Sequence, residues 1–128
     1  KLFLPAACQG AIGVQALKSS KFIDIFSSIN NIQTQTECMA ERRVLKNINA
    51  NCNSPVSIYA KINNNKIHLK FEMFDHDGNK IFKQTLADEK NNYINVSDKL
   101  SEDIICTIGQ KKIDELDDLK NDFDYTAA

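Results

Sequence analysis

Between Val56 and Leu86 the chain alternates apolar with polar or amphipathic residues three times, and the turn residues between the runs favour an antiparallel meander. Val56, Ile58, Ala60 and Ile62 mark the first run, Ile67, Leu69, Phe71 and Met73 the second, and Ile81 to Leu86 the third. Asn63-Asn64-Asn65 turns the chain between the first two. Asp75-His76-Asp77-Gly78 does so between the others, its Asp-Gly pair suited to the positive φ angles of a tight hairpin. Connections this short join antiparallel neighbours and leave one sheet face for helices to cover.

Helical spacing frames the meander on both sides. Phe22, Ile25, Phe26 and Ile29 form one stripe, closed by Asn30-Asn31. Thr34-Gln35-Thr36-Glu37 reads as a capping box with Thr34 as the cap. Ala40, Val44 and Ile48, widened by Leu45, give the next helix an apolar face that should stop before Asn49 or Asn51. Beyond Asn91-Asn92, Ser97 is expected to cap a helix whose apolar face is Leu100, Ile104, Ile105 and Ile108, with Gly109 ending it. A last helix from about Lys111 carries Ile113 and Leu116, and the acidic tail 117–124 is expected to fray. The start, through Val14, reads as an extended segment in which Gly10 and Gly13 allow tight backbone approaches. The predicted class is α+β: a three-stranded antiparallel sheet packed with helices, preceded by a strand and helix with nothing of their own to pair with.

Composition narrows the function classes. With 128 residues and 42% hydrophobic content, one core with a short extension is expected rather than two domains. A net charge of -1, with lysines dispersed among carboxylates, gives no reason to expect nucleic acid. No run approaches the roughly 18 apolar residues of a membrane span, and the opening residues are too short for a secretory core, so a soluble, cytoplasmic protein is expected. Cys8, Cys38, Cys52 and Cys106 form no C-x-x-C pair, so free thiols are predicted and neither a disulfide framework nor a metal site is signalled. His68 falls on the polar side of a strand and His76 in a turn, and both are expected at the solvated surface. No Gly-x-Ser-x-Gly elbow surrounds Ser54 or Ser57.

Three motifs remain: Leu4-Pro5-Ala6 with Gln9-Gly10-Ala11 and Gly13, then Ala40-Glu41-Arg42, then Cys52 with Pro55, Tyr59 and Ala60. In order and spacing they resemble the C-terminal part of the porphobilinogen deaminase (hydroxymethylbilane synthase) family, which reads roughly LPAxGQGAxGIE, AER and LEGGCxxPxGxYA. The resemblance departs at Cys8, where the family usually has glycine, and at Ala50-Asn51, where it has two glycines. It implies a transferase of tetrapyrrole and heme biosynthesis that condenses four porphobilinogen molecules, with loss of ammonia, on a covalent dipyrromethane cofactor.

By the same resemblance Cys52 is the cofactor attachment point, and Gln9 and Gly10 lie near the active cleft, where they could hold pyrrole carboxylates or serve only as a structural crossover. Residues 1–30 correspond to a stub of two α/β domains and 31–128 to the C-terminal attachment domain. The family's catalytic aspartate and arginine clamp come from those two domains, and with just Arg42 and Arg43 this chain is expected to supply no catalytic residue and to be inactive alone. Its expected partners are porphobilinogen in the whole enzyme and the missing N-terminal domains, with self-association through the apolar stub as another outcome. A stand-alone α+β interaction or tetrapyrrole-carrier module is the alternative. The Glu41-Arg42 pair is expected in an inter-element salt bridge, and the Cys52 loop is expected to be mobile, because nothing obvious packs on it.

Overall fold

Asn64 and Asn65 both adopt left-handed backbone, at φ 49° and 62°, so the first hairpin turns in two residues and Asn63 pairs directly with Lys66. The computed structural model describes residues 3–51 and 53–117. Three strands follow one another in an antiparallel sheet of order β1-β2-β3: β1 (Val56–Asn63), β2 (Lys66–Phe74) and β3 (Lys80–Glu89). In the second turn Asp75 Oδ1 accepts from the amides of Asp77 and Asn79, and only Gly78 takes positive φ, at 80°. β3 runs three residues past the expected Leu86, because Ala87, Asp88 and Glu89 continue to pair with His68, Ile67 and Lys66.

Two long helices cover one face of this sheet. α2 (Ile32–Asn47) lies over β1 and α3 (Tyr93–Ile108) over β3, and the two pack against each other. Ala40 and Ser97, both fully buried, meet where the helices approach, and the Ser97 hydroxyl donates to the Ala40 carbonyl at 3.2 Å. That contact explains why Ser97 sits inside α3 instead of capping it. Its small side chain is chosen by the neighbouring helix, and the helix starts at Tyr93 after a 3-10 turn at Lys90–Asn92. The core between the layers is the predicted set: Val44, Ile48, Ile58, Ile67, Leu69, Phe71, Leu100 and Ile104 are wholly buried, with Phe71 edge-on to Phe82. Gly109 ends α3 at φ 85°, and the short α4 (Gln110–Asp117) folds back to bury Ile113 and Leu116. The expected tail beyond Asp117 lies outside the described residues.

The start of α2 also differs from the expected capping box. Asn31 is the cap, its Oδ1 accepting from Thr34 N–H at 2.9 Å, and Glu37 is turned toward the sheet. Ahead of it, the predicted strand is absent among the described residues, 3–22. Residues 6–11 instead make two consecutive turns, with Gln9 N–H bonded to Ala6 and Ala11 N–H to Cys8. Gly10 supplies φ 85° there, but neither Gly10 nor Gly13 approaches another backbone closely. α1 (Ile23–Ser28) is a six-residue helix with no buried residue.

Candidate cofactor-attachment site

An edge strand presents unpaired N–H groups along its free side, and β1 is such a strand. Its outward amides are nonetheless satisfied, that of Val56 by the Ser54 carbonyl and the next three by groups from outside the sheet. Ile58 N–H donates to the Pro5 carbonyl at 3.0 Å, Ala60 N–H to Glu41 Oε1 at 2.7 Å, and Ile62 N–H to Glu37 Oε1 at 2.8 Å. Glu41 Oε2 also accepts from the Cys8 amide at 2.6 Å. One carboxylate thus ties the N-terminal segment, α2 and β1 together. The salt bridge expected for Glu41 and Arg42 is replaced by this arrangement: Arg42 is exposed, and Arg43 makes a bidentate pair with Asp98 at 2.6 and 2.8 Å.

Burial pushes the Glu41 carboxyl above its ordinary range, and the negative charge of Glu37 adds to this, while the two amide hydrogen bonds pull it back. The sequence signal for this role was present, since Glu37 and Glu41 fall on the same helical stripe as Ala40 and Val44.

Cys52 itself lies outside the described residues, but the chain on both sides of it is held. α2 ends in a Schellman motif: Asn49 takes the left-handed position at φ 58°, its N–H bonds Lys46, and Ala50 N–H bonds Leu45. Asn49, the first of the two asparagines at which the helix was expected to stop, performs the left-handed turn, and Ala50 packs against the core. Beyond it, Asn51 N–H donates to Ser54 Oγ at 2.7 Å and Ser54 N–H to the Asn51 carbonyl at 3.1 Å. α4 braces this loop: Gln110 Nε2 donates to the Ile48 carbonyl at 3.1 Å and Asn51 Nδ2 to Asp117 Oδ2 at 3.2 Å. The expectation that nothing packs on the loop is therefore corrected for its described residues. Asp117 Oδ1 is buried without a hydrogen-bond partner among the described residues, which leaves an acceptor beside Asn51.

Gln9 and Gly10 stand elsewhere. The Gln9 side chain accepts from the Ala6 amide at 3.1 Å and stabilises its own turn, and that turn rests on the middle of α2 at Cys38 and Glu41. Glu41 is about 9 Å along the helix axis from Asn47, at 1.5 Å per residue, so the turn and the Cys52 loop occupy different stretches of α2. An open cleft of about 910 Å³ lies beside the turn, its rim including Cys8, Ile12, Val14, Phe26, Met39 and Arg42. His68 is half-buried on the sheet face away from the helices, and His76 is exposed. No helix among the described residues is long and apolar enough to cross a membrane.

A helix-covered three-stranded meander, with an asparagine-flanked cysteine between its first long helix and first strand, defines the class. Residues 35–106, more than half of the chain, match the family model for porphobilinogen deaminase, C-terminal domain. The chain belongs to the porphobilinogen deaminase family. It is 34% identical over 105 residues to the porphobilinogen deaminase of Clostridium kluyveri, covering 80% of this chain and 35% of that protein. It is 32% identical over 107 residues to that of Clostridium perfringens, covering 82% and 35%. Against that of Helicobacter hepaticus it is 31% identical over 113 residues, covering 88% and 34%. The chain thus spans about a third of the length of these curated relatives.

Proposed function

We propose that this chain is the cofactor-anchoring part of a hydroxymethylbilane synthase, a transferase of tetrapyrrole biosynthesis, with Cys52 as the thioether attachment point for dipyrromethane. The observation that carries the reading is the knot at Glu41. Pro5 and Cys8 of the first motif, Glu41 of the second, and Ile58 and Ala60 beside and within the third are joined by consecutive hydrogen bonds. The motifs of the resemblance are therefore neighbours in space as well as in order. Dipyrromethane would supply the primer to which porphobilinogen units are added. The residues around the attachment point suit it: the loop is braced on both sides, and the unpartnered Asp117 Oδ1 can accept from an N–H donor such as a pyrrole.

In this reading residues 31–128 form the attachment domain and 1–30 belong with two further α/β domains, which supply the catalytic carboxylate and the arginines that neutralise the substrate's acidic arms. Ile12, Leu17, Ile25 and Ile29 are the apolar surface those domains would cover. Of the two arginines here, Arg43 is engaged by Asp98. Gln9 and Gly10 shape the hinge between the parts, a role that fits a side chain bonded within its own turn.

The test is intact mass and peptide mapping of the chain expressed together with the portion of the Clostridium kluyveri relative that it does not span. The expected result is a mass excess equal to dipyrromethane on the tryptic peptide carrying Cys52, lost in Cys52→Ser. An unmodified Cys52 in a complex that forms would overturn the assignment, and tetrapyrrole binding by the chain alone would favour a carrier.

A further inference from the structure

Cys8 stands in a position that ordinarily suits glycine: its backbone is left-handed, at φ 57°, and its amide is pinned to Glu41 at 2.6 Å. This conformation aims the side chain at α2, where the Cys8 thiol donates to the Cys38 carbonyl at 3.7 Å. The two cysteines, 30 residues apart in sequence, are brought side by side by this contact. Both are half-buried on the wall of the same cleft, whereas Cys106 is exposed on α3.

We propose that Cys8 and Cys38 are a reversible dithiol site, which a peroxide converts to a disulfide that staples the N-terminal turn to α2. In the first step the Cys8 sulfur attacks hydrogen peroxide, the O–O bond breaks, and a sulfenic acid and one water result. In the second, the Cys38 sulfur attacks Cys8, the S–O bond breaks, and the hydroxide leaves as water with the Cys38 proton. Two thiols lose two electrons and peroxide gains them. The division of roles follows from the surroundings. Burial, then the neighbouring Cys8 and the charges of Glu41 and Glu37, push the Cys38 thiol up to about 11, so it stays protonated at neutral pH and is the poorer first nucleophile. A small-molecule thiol would reverse the bond by exchange.

The consequence is mechanical. The turn is otherwise held by the Ile58 N–H bond to the Pro5 carbonyl, the Cys8 N–H bond to Glu41 and the packing of Ala7, and a covalent link beside them would fix one rim of the cleft.

The purified, reduced chain is treated with hydrogen peroxide, digested without reductant and mapped. Trypsin places each cysteine on its own peptide, those of Cys8 and Cys38 ending at Lys18 and Arg42. The expected product is a monomer about 2 Da lighter, with these two peptides linked and released by dithiothreitol. In Cys38→Ser the same treatment should leave Cys8 as a sulfenic acid that dimedone traps. The proposal is overturned if the two peptides are recovered separately, if either cysteine proceeds to sulfinic acid in the unsubstituted chain, or if the link joins other cysteines or two chains.

Discussion

α1 and α2 carry the same kind of apolar stripe and meet opposite fates. Ala40 and Val44 of α2 and Ile48 at its C-cap are wholly buried against the sheet and α3; Ile25 of α1 and Ile29 at its C-cap are 61% and 67% exposed. A helical period reports that a face suits burial, without naming the surface that will bury it. The meander supplies that surface for α2. For α1 nothing among the described residues does, and its six residues are too few to be stable by propensity alone. The turn at residues 6–11, ahead of both, docks on α2 mainly through its polar groups, with Ala7 alone packed against the core.

Glu41→Ala should show most sharply how that docking works. It leaves the Ala60 and Cys8 amides without an acceptor on the edge of the sheet, and a loss of about 2–4 kcal/mol in urea unfolding is expected. Hydrogen exchange should localise the damage: Ala60 is protected in the parent although it lies on an edge strand, and loses protection in the variant. A change below about 0.5 kcal/mol would mean that water replaces the carboxylate freely. Next in size is Ala40→Leu, which inserts a branched side chain where α2 meets Ser97 of α3. A loss of about 1–3 kcal/mol is expected from overpacking, and an unchanged midpoint would show that the two helices can separate at no cost.

How far such features could be read beforehand depends on how local they are. The meander was legible because alternation and asparagine turns act over a few residues. The Asn31 cap and the start of α3 were not, because a better-looking local signal stood nearby at Thr34 and Ser97. Ser97 answers to Ala40, 57 residues away. The pair Glu37 and Glu41 was half legible: acidic residues on an apolar stripe imply buried acceptors, but which donors they meet is decided by sheet topology. The Cys8 and Cys38 contact was illegible, since it requires the left-handed backbone of a residue that rarely adopts it.

pH separates the buried carboxylate from a surface one by sign. The Glu41 carboxyl is raised, so between its ordinary value near 4.5 and its folded value the folded chain holds more protons, and stability falls as pH rises through that window. Asp98 is lowered, first by its hydrogen bond from Arg43, so its contribution is present above about 3.8 and is lost as pH falls below it. Glu41→Gln should therefore flatten the decline on the high side of pH 4.5, and Asp98→Asn the decline on the acid side. The Asp98 effect should stay below about 1 kcal/mol, because both partners of the pair are more than a third exposed to screening water. Melting temperatures of the three proteins across pH 3–7 decide it, and slopes of one sign for both residues would refute the assignment.

The smallest expected effect tests the other half of the comparison. Ile25→Ala removes three carbons from the α1 stripe, a change that costs about 2–5 kcal/mol in a packed core. Ile25 is largely exposed and α1 buries nothing, so the unfolding free energy of this chain should move by no more than about 0.5 kcal/mol. The same substitution in the complex with the remaining portion of a relative should weaken association, if the stripe is the surface that those domains cover. A large loss of stability in the chain alone would mean that α1 is already buried, against itself or against a second copy, and the contrast between the two helices would disappear. A small loss in both settings would leave α1 as a helix without a partner, and the exposed stripe would then owe nothing to docking.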